Sequence, residues 1–149
     1  MADKSAQVEV RGIRELASAF KQVDAALAGE LKSRFLAVAQ HVVDIARGKV
    51  PSRSGRAAAS IKARGRASGA SIAFGGTAAP YYPWLDFGGS VGRGHKPGVA
   101  WSGAIKRDWN VPGRYVYPAI SEARPDTERA VELAVKEAAE GAGFETRGL

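Results

Sequence analysis

From residue 13 onward, apolar positions fall at helical intervals. Ile13, Leu16, Ala17, Phe20, Val23 and Leu27 form one stripe, with Arg14, Lys21 and Asp24 outside it. After Gly29 a second stripe runs through Leu31, Phe35, Val38, Ala39, Val42, Ile45 and Ala46, and Gly48 and Pro51 end it. The spacing predicts two amphipathic helices, or one long helix kinked near Gly29. Both stripes read as core rather than as ligand-binding faces. Ahead of them, "VEV" at 8–10 alternates and is either a short edge strand or an ordered lead-in, closed by Gly12.

Past Pro51 the period changes from helical to two. "AASIKARGR" and "ASIAFGG" flank the turn "ASG", which predicts a β-hairpin. Its first strand places Lys62, Arg64 and Arg66 on one face, and Ile61 and Ala63 on the other, towards a core. "YYPWLDF", residues 81–87, reads as a third, aromatic strand carrying Asp86. Pro83 cannot donate to a ladder, so that strand is an edge or carries a bulge. Residues 88–113 form a long glycine-rich loop with Trp101 and Trp109 in it. Two exposed tryptophans are poor for solubility, so they are expected to pack on this chain or on a partner.

"RYVYPAI" reads as a short strand or extended segment. A final helix follows from near Pro118, and its main part starts at Pro125, with Asp126 and Glu128 near the positive end of its dipole. The last residues, 141–149, are expected to fray. Together these elements predict an α+β fold in one domain over residues 1–149. A small antiparallel sheet, the hairpin plus the aromatic strand, packs against a long N-terminal helix pair and a C-terminal helix, with a long Gly-rich loop.

The formal charge of +7 is unevenly placed. Residues 45–120 hold twelve bases against two acids, Asp86 and Asp108, whereas residues 121–149 hold seven acids and four bases. Such a cationic block is either a solvated surface or a face for a polyanion or an acidic protein. The absence of cysteine excludes a disulfide framework and thiolate chemistry, and fits a reducing compartment or assembly inside a cell. "MADKSAQVEV" has no apolar signal-peptide core, and no apolar run approaches the roughly 18 residues of a membrane span. The expectation is a soluble chain made in the cytoplasm.

Candidate chemistry is sparse. His41 sits in the second helix beside the stripe and reads as structural. His95 lies in the glycine loop without Cys, His or acid partners at metal-ligand spacing. "RSGR" and "WSGA" are not nucleophile elbows. Asp86 lacks a second carboxylate nearby in sequence. "GGSVGRGHKPG" is not a phosphate loop, because Pro97 follows Lys96 where a P-loop needs Ser or Thr. Glycine with Arg93, His95 and Lys96 suits a cation-bearing arm that lies along phosphates or docks on an acidic neighbour. No enzyme, metal or cofactor is expected.

Three stretches carry a resemblance. They are "VPSRSGRAAASI" at 50–61, "YYPWLDFGG" at 81–89 and "RYVYPAISEARP" at 114–125. In this order, after an opening "GIRELASAF", they resemble the tail-completion and neck (head–tail joining) proteins of siphovirus-type tailed bacteriophages, the lambda Z-like minor tail components. The likeness covers residues 12–140. Ala57 stands where leucine is usual in that pattern, and Gly89 where threonine is common.

The resemblance implies a virion structural protein at the head–tail junction, made in the host bacterial cytoplasm. It implies a homo-oligomeric ring, commonly a hexamer, between head-closure and tail-terminator or tail-tube proteins, with a channel for DNA. On this expectation Asp86, Arg93, His95, Lys96, Trp101 and Trp109 belong to an inter-subunit or partner interface, with Asp86 paired to a cation of the basic block. Lys62, Arg64 and Arg66 form a basic face that either lines the channel, in non-specific contact with genomic DNA, or meets an acidic neighbouring ring. Tight phosphate contacts would hinder DNA passage, which favours the protein neighbour. The alternatives are a tail-terminator ring subunit and a free-standing basic nucleic-acid-binding protein. No membrane partner is expected.

Overall fold

The computed structural model describes residues 6–8, 13–23, 25–91 and 105–143. Two antiparallel helices organise it. α2 (Ala25–Lys49) buries Leu31, Phe35, Ala39, Val42, Val43 and Ala46 along one stripe, as its periodicity requires. α5 (Val116–Gly141) answers with small residues, burying Ala119, Ala123, Ala134, Ala138 and Ala139. Alanine lets the helices approach closely, so Leu31 and Phe35 seat against Ala138 and Ala139. Burying each of those two larger side chains contributes about 1.5–3 kcal/mol. The ion pairs Arg34–Glu137 and Lys49–Glu122 cross the pair towards opposite ends, as its antiparallel sense requires. Both are largely exposed and are worth little to stability by themselves.

The helix boundaries depart from the pattern in two places. α1 (Ile13–Val23) and α2 are described on either side of residue 24, and Gly29, the expected point of interruption, lies inside α2. α5 begins at Val116 and runs through Pro125 without restarting there. The residues on either side of Pro125, Arg124 and Asp126, are exposed, as is Ser121 one turn earlier. Water can therefore serve the carbonyl that Pro125 cannot bond, while buried Ala119 and Ala123 hold that turn on the core.

The predicted hairpin is present as β2 (Lys62–Arg66) and β3 (Gly69–Ala73), joined by Ala67 and Ser68. β1 (Ala6–Val8) pairs antiparallel with β3, giving the sheet order β1–β3–β2. It lies two residues earlier than the "VEV" expected. Ala58, Ala59 and Ser60, expected to begin the first hairpin strand, instead end the short helix α3 (Arg56–Ser60).

The aromatic stretch is not a strand. Tyr82–Phe87 is a helical turn and a half, α4, with Pro83 in its first turn, where the missing N–H costs nothing. Tyr82 and Asp86, four apart, share its buried side with Phe87. The loop expected over 88–113 also has structure at its base: β4 (Gly89–Val91) and β5 (Ile105–Arg107) pair antiparallel. The class is α+β, as the pattern implied. Among the described residues no helix is long and apolar enough to cross a membrane.

Candidate functional site

The three stretches that carry the family resemblance converge on one core. Val50, Ala57 and Ile61 come from the first, Tyr82 and Phe87 from the second, and Tyr115, Val116, Ala119 and Ala123 from the third. Phe74 of the β3–α4 connection packs at 5.2 Å from Tyr82 and 6.4 Å from Phe87, ring centre to ring centre, and Phe87 lies 6.3 Å from Tyr117.

Polar groups tie the stretches as well. The Ser60 hydroxyl donates to the Ala57 carbonyl at 2.7 Å and accepts the Gly75 N–H at 3.1 Å. Arg47 of α2 donates to the carbonyls of Ala58 (3.2 Å), which also accepts the Ile61 N–H, and of Ile61 (2.8 Å), so it ties α2 to the end of α3.

Asp86 is the centre of the second and third stretches. Its side chain is fully buried. Oδ1 accepts the backbone N–H of Arg114 at 2.5 Å and of Tyr115 at 2.9 Å. Those residues immediately precede the first turn of α5, whose N-cap Tyr115 supplies no side-chain bond. Asp86 thus does from α4 what a capping side chain does locally, and its charge sits at the positive end of the α5 dipole.

This corrects two expectations. Asp86 is buried rather than part of a surface, and among the described residues no cation of the basic block pairs with its carboxylate. Arg114 reaches past it, donating to the backbone carbonyls of Asp86 (3.0 Å) and Asp108 (2.5 Å). Gly113 makes the approach possible. Its φ is 111°, and a Cβ there would sit 2.9 Å from Asp86 Oδ1 and 3.0 Å from the Phe87 ring.

Asp86 Oδ2 and the Tyr82 hydroxyl are neighbours in this centre, and neither has a hydrogen-bond partner beyond the other among the described residues. Burial pushes the Tyr82 phenol well above its ordinary value, and the neighbouring Asp86 charge and Tyr115 push it the same way.

From this buried centre a chain of contacts runs outward. The Tyr115 hydroxyl accepts from Arg107 at 3.0 Å. The Arg107 guanidinium lies 5.9 Å from the centre of the Trp84 ring, and Trp84 Nε1 donates to the Gly89 carbonyl at 3.1 Å. The Trp109 ring lies against Gly89, since a Cβ on that glycine would be 3.8 Å from it. Asn110 donates its N–H to the Phe87 carbonyl at 2.7 Å, holding the following segment on α4. Trp109 and Val111 nevertheless stand 65% and 71% exposed. Of the expected interface set, Trp109 is therefore at the surface and Asp86 is beneath it. Arg93, His95, Lys96 and Trp101 lie outside the described residues.

The basic face forms as its period requires: Lys62, Arg64 and Arg66 are all exposed, with Ala63 and Gly65 between them half-buried. His41 is on the exposed side of α2. Among the described residues no group of three or more His, Cys, Asp or Glu side chains is placed to hold a metal ion.

Pattern reading missed the roles of Arg47, Arg107, Arg114 and the Tyr82–Asp86 pair. For the last, a signal existed: Pro83 early in the stretch, and a four-residue spacing between the two groups, mark a helix start. No protein-family model, curated protein or solved structure matches the chain.

Proposed function

We propose that the chain is a virion structural protein of a tailed bacteriophage, a tail-completion or neck component that assembles as a ring between head-closure and tail proteins. The observation that supports this reading is the convergence of the three resembling stretches. Set apart along the sequence at 50–61, 81–89 and 114–125, all three meet in one core, and Asp86 ties the second to the third. Their distinctive residues are used for packing, capping and tight turns, which is what a subunit built for assembly needs. None of these roles requires bond chemistry, and we read the chain as a non-enzyme. The exposed Trp109 and Val111, mounted on that core, supply a surface suited to a neighbouring subunit or ring.

The test is the mass of the purified chain in solution, alone and mixed with neck and tail-terminator proteins of the same phage. A closed ring, alone or on mixing, is expected. A persistent monomer that ignores those proteins overturns the reading.

A second reading, a basic nucleic-acid-binding protein, draws on the exposed row Lys62, Arg64 and Arg66. It requires tight duplex binding whose affinity falls steeply with salt.

A further inference from the structure

The small sheet has two outer edges, β1 and β2, and the longer is β2. In the order β1–β3–β2, one side of β2 pairs with β3, and the other pairs with no strand among the described residues. The inner face of β2 is closed by α2. A Cβ on Gly65 would lie 2.7 Å from the Lys32 carbonyl oxygen and 2.8 Å from Leu36 Cβ, so only glycine permits this approach.

The outer face carries Lys62, Arg64 and Arg66. Opposite them on β3 stand Ala73, Ser71 and Gly69, none of them large or acidic. The two-residue turn closes on the pair Arg66 and Gly69. By alternation, the residues bonded to β3 are then Arg66, Arg64 and Lys62, and the N–H and C=O groups of Ala63 and Gly65 point to the open edge.

An open edge is a template for another strand. Charge decides which strand it accepts. A second copy of β2 would set Lys and Arg against Lys and Arg, which is unfavourable. An extended segment with acids at alternate positions would instead repeat about every 7 Å, as the three cations do. No acid lies between Asp44 and Asp86 in the sequence, so the hairpin of β2 and β3 itself carries bases and no carboxylate.

We propose that the free edge of β2 is a docking site for an extended acidic segment of a different protein. The segment adds as a fourth strand beside Lys62–Arg66, with its alternate carboxylates facing Lys62, Arg64 and Arg66. This inference does not depend on the head–tail reading, because it concerns the isolated chain.

The probe is a nine-residue peptide of alternating glutamate and valine, titrated into the full ¹⁵N-labelled chain. Three controls accompany it: the same peptide N-methylated on alternate backbone nitrogens, a lysine–valine version, and a 20-base-pair DNA duplex. Saturable binding is expected, with shifts of the Ala63 and Gly65 amides and slowing of their hydrogen exchange by about ten-fold or more. N-methylation should weaken binding by about ten-fold, since it removes the strand-pairing donors. The lysine–valine peptide should not bind the native chain. It should bind the Lys62→Glu/Arg66→Glu variant, which in turn loses the glutamate peptide.

Equal binding of the N-methylated peptide overturns the proposal, because attraction would then need no strand pairing. Unmoved Ala63 and Gly65 amides also overturn it, and leave the charges as a guard against edge-to-edge aggregation. Tighter duplex binding with a steep salt slope assigns the face to nucleic acid and overturns it too. If the double variant does not fold, the native chain with the N-methylated peptide still decides the matter.

Discussion

Replacing Asp86 tests the claim that a buried carboxylate fastens α4 to the start of α5. In Asp86→Ala the N–H groups of Arg114 and Tyr115 lose their acceptor in an environment closed to water. A hydrogen bond to a charged group contributes about 1.5–3 kcal/mol, and a stranded buried donor costs a further part of its desolvation. Against this, the mutation removes a buried charge that is costly in its own right. The balance is a loss of about 2–4 kcal/mol. Asp86→Asn keeps an oxygen at the Oδ1 position for both donors. It also turns Oδ2, the neighbour of the Tyr82 hydroxyl, into an amide that can donate to that hydroxyl's oxygen. Its cost should be no more than about 1 kcal/mol.

Urea unfolding followed by far-ultraviolet circular dichroism measures both variants. With a slope near 2 kcal/mol/M, alanine should lower the midpoint by about 1–2 M, and asparagine by about 0.5 M or less. An alanine variant within about 0.3 M of the native chain would refute the anchoring role. Equal losses for alanine and asparagine would show that charge, rather than acceptance of the two N–H groups, is what matters.

Other outcomes follow from the same geometry. Tyr82 is neutral in the folded chain and its phenol is raised, so the folded state holds that proton more tightly than the unfolded state. Its contribution is full below the ordinary tyrosine value of about 10 and is lost as pH rises beyond it, by at most about 1.4 kcal/mol per pH unit. Stability curves from pH 8 to 11 should therefore fall less steeply for Tyr82→Phe than for the native chain, and identical slopes would contradict the assignment. Gly113→Ala should cost about 2–3 kcal/mol through its positive φ and its contact with Asp86, whereas Gly76→Ala, at φ 75° with open space around it, should cost about 1 kcal/mol in the same unfolding assay. Trp109→Ala, at a site 65% exposed, should leave the unfolding midpoint within about 0.3 M of native and weaken ring formation or partner binding about ten-fold by sedimentation. Replacing residues 92–104 by Asn-Gly joins β4 to β5 at the pair Val91 and Ile105; the chain should remain folded by circular dichroism and fail to join heads to tails in reconstitution.

The helical stripes and the hairpin were legible because each depends on local periodicity. Phe35 and Val42 lie on the buried side of α2 for the same 3.6-residue reason that placed them there from sequence. Lys62, Arg64 and Arg66 share a face because strands alternate. The aromatic stretch misled because Tyr, Trp and Phe favour strands in general, while Pro83 and the Tyr82–Asp86 spacing favoured a helix in particular. Pro125 misled because a proline penalty is local, and it is outweighed when the same helix is held by Ala119 and Ala123 before it and by Ala134 after it. The role of Asp86 was not legible at all. Its partners lie 28 and 29 residues away, and no periodicity connects them.

The burial of Asp86 changes what the surface above it can do. A pairing between Asp86 and a surface cation would have left the Trp109 segment as an ordinary loop, ordered only on association and paying that entropy at binding. Instead Asp86, Tyr115, Arg107 and Trp84 link the interior to Gly89, against which the Trp109 ring rests. The exposed tryptophan is then presented by a rigid mount, and less ordering remains to be done when a neighbour arrives. The two kinds of variant should therefore separate. Changes at Asp86 or Gly113 should weaken folding and association together, because the mount is shared. Changes at Trp109 should weaken association alone. If Asp86→Ala lowered stability but left association through Trp109 untouched, the mount and the surface would be independent, and the coupling argued from this network would be wrong.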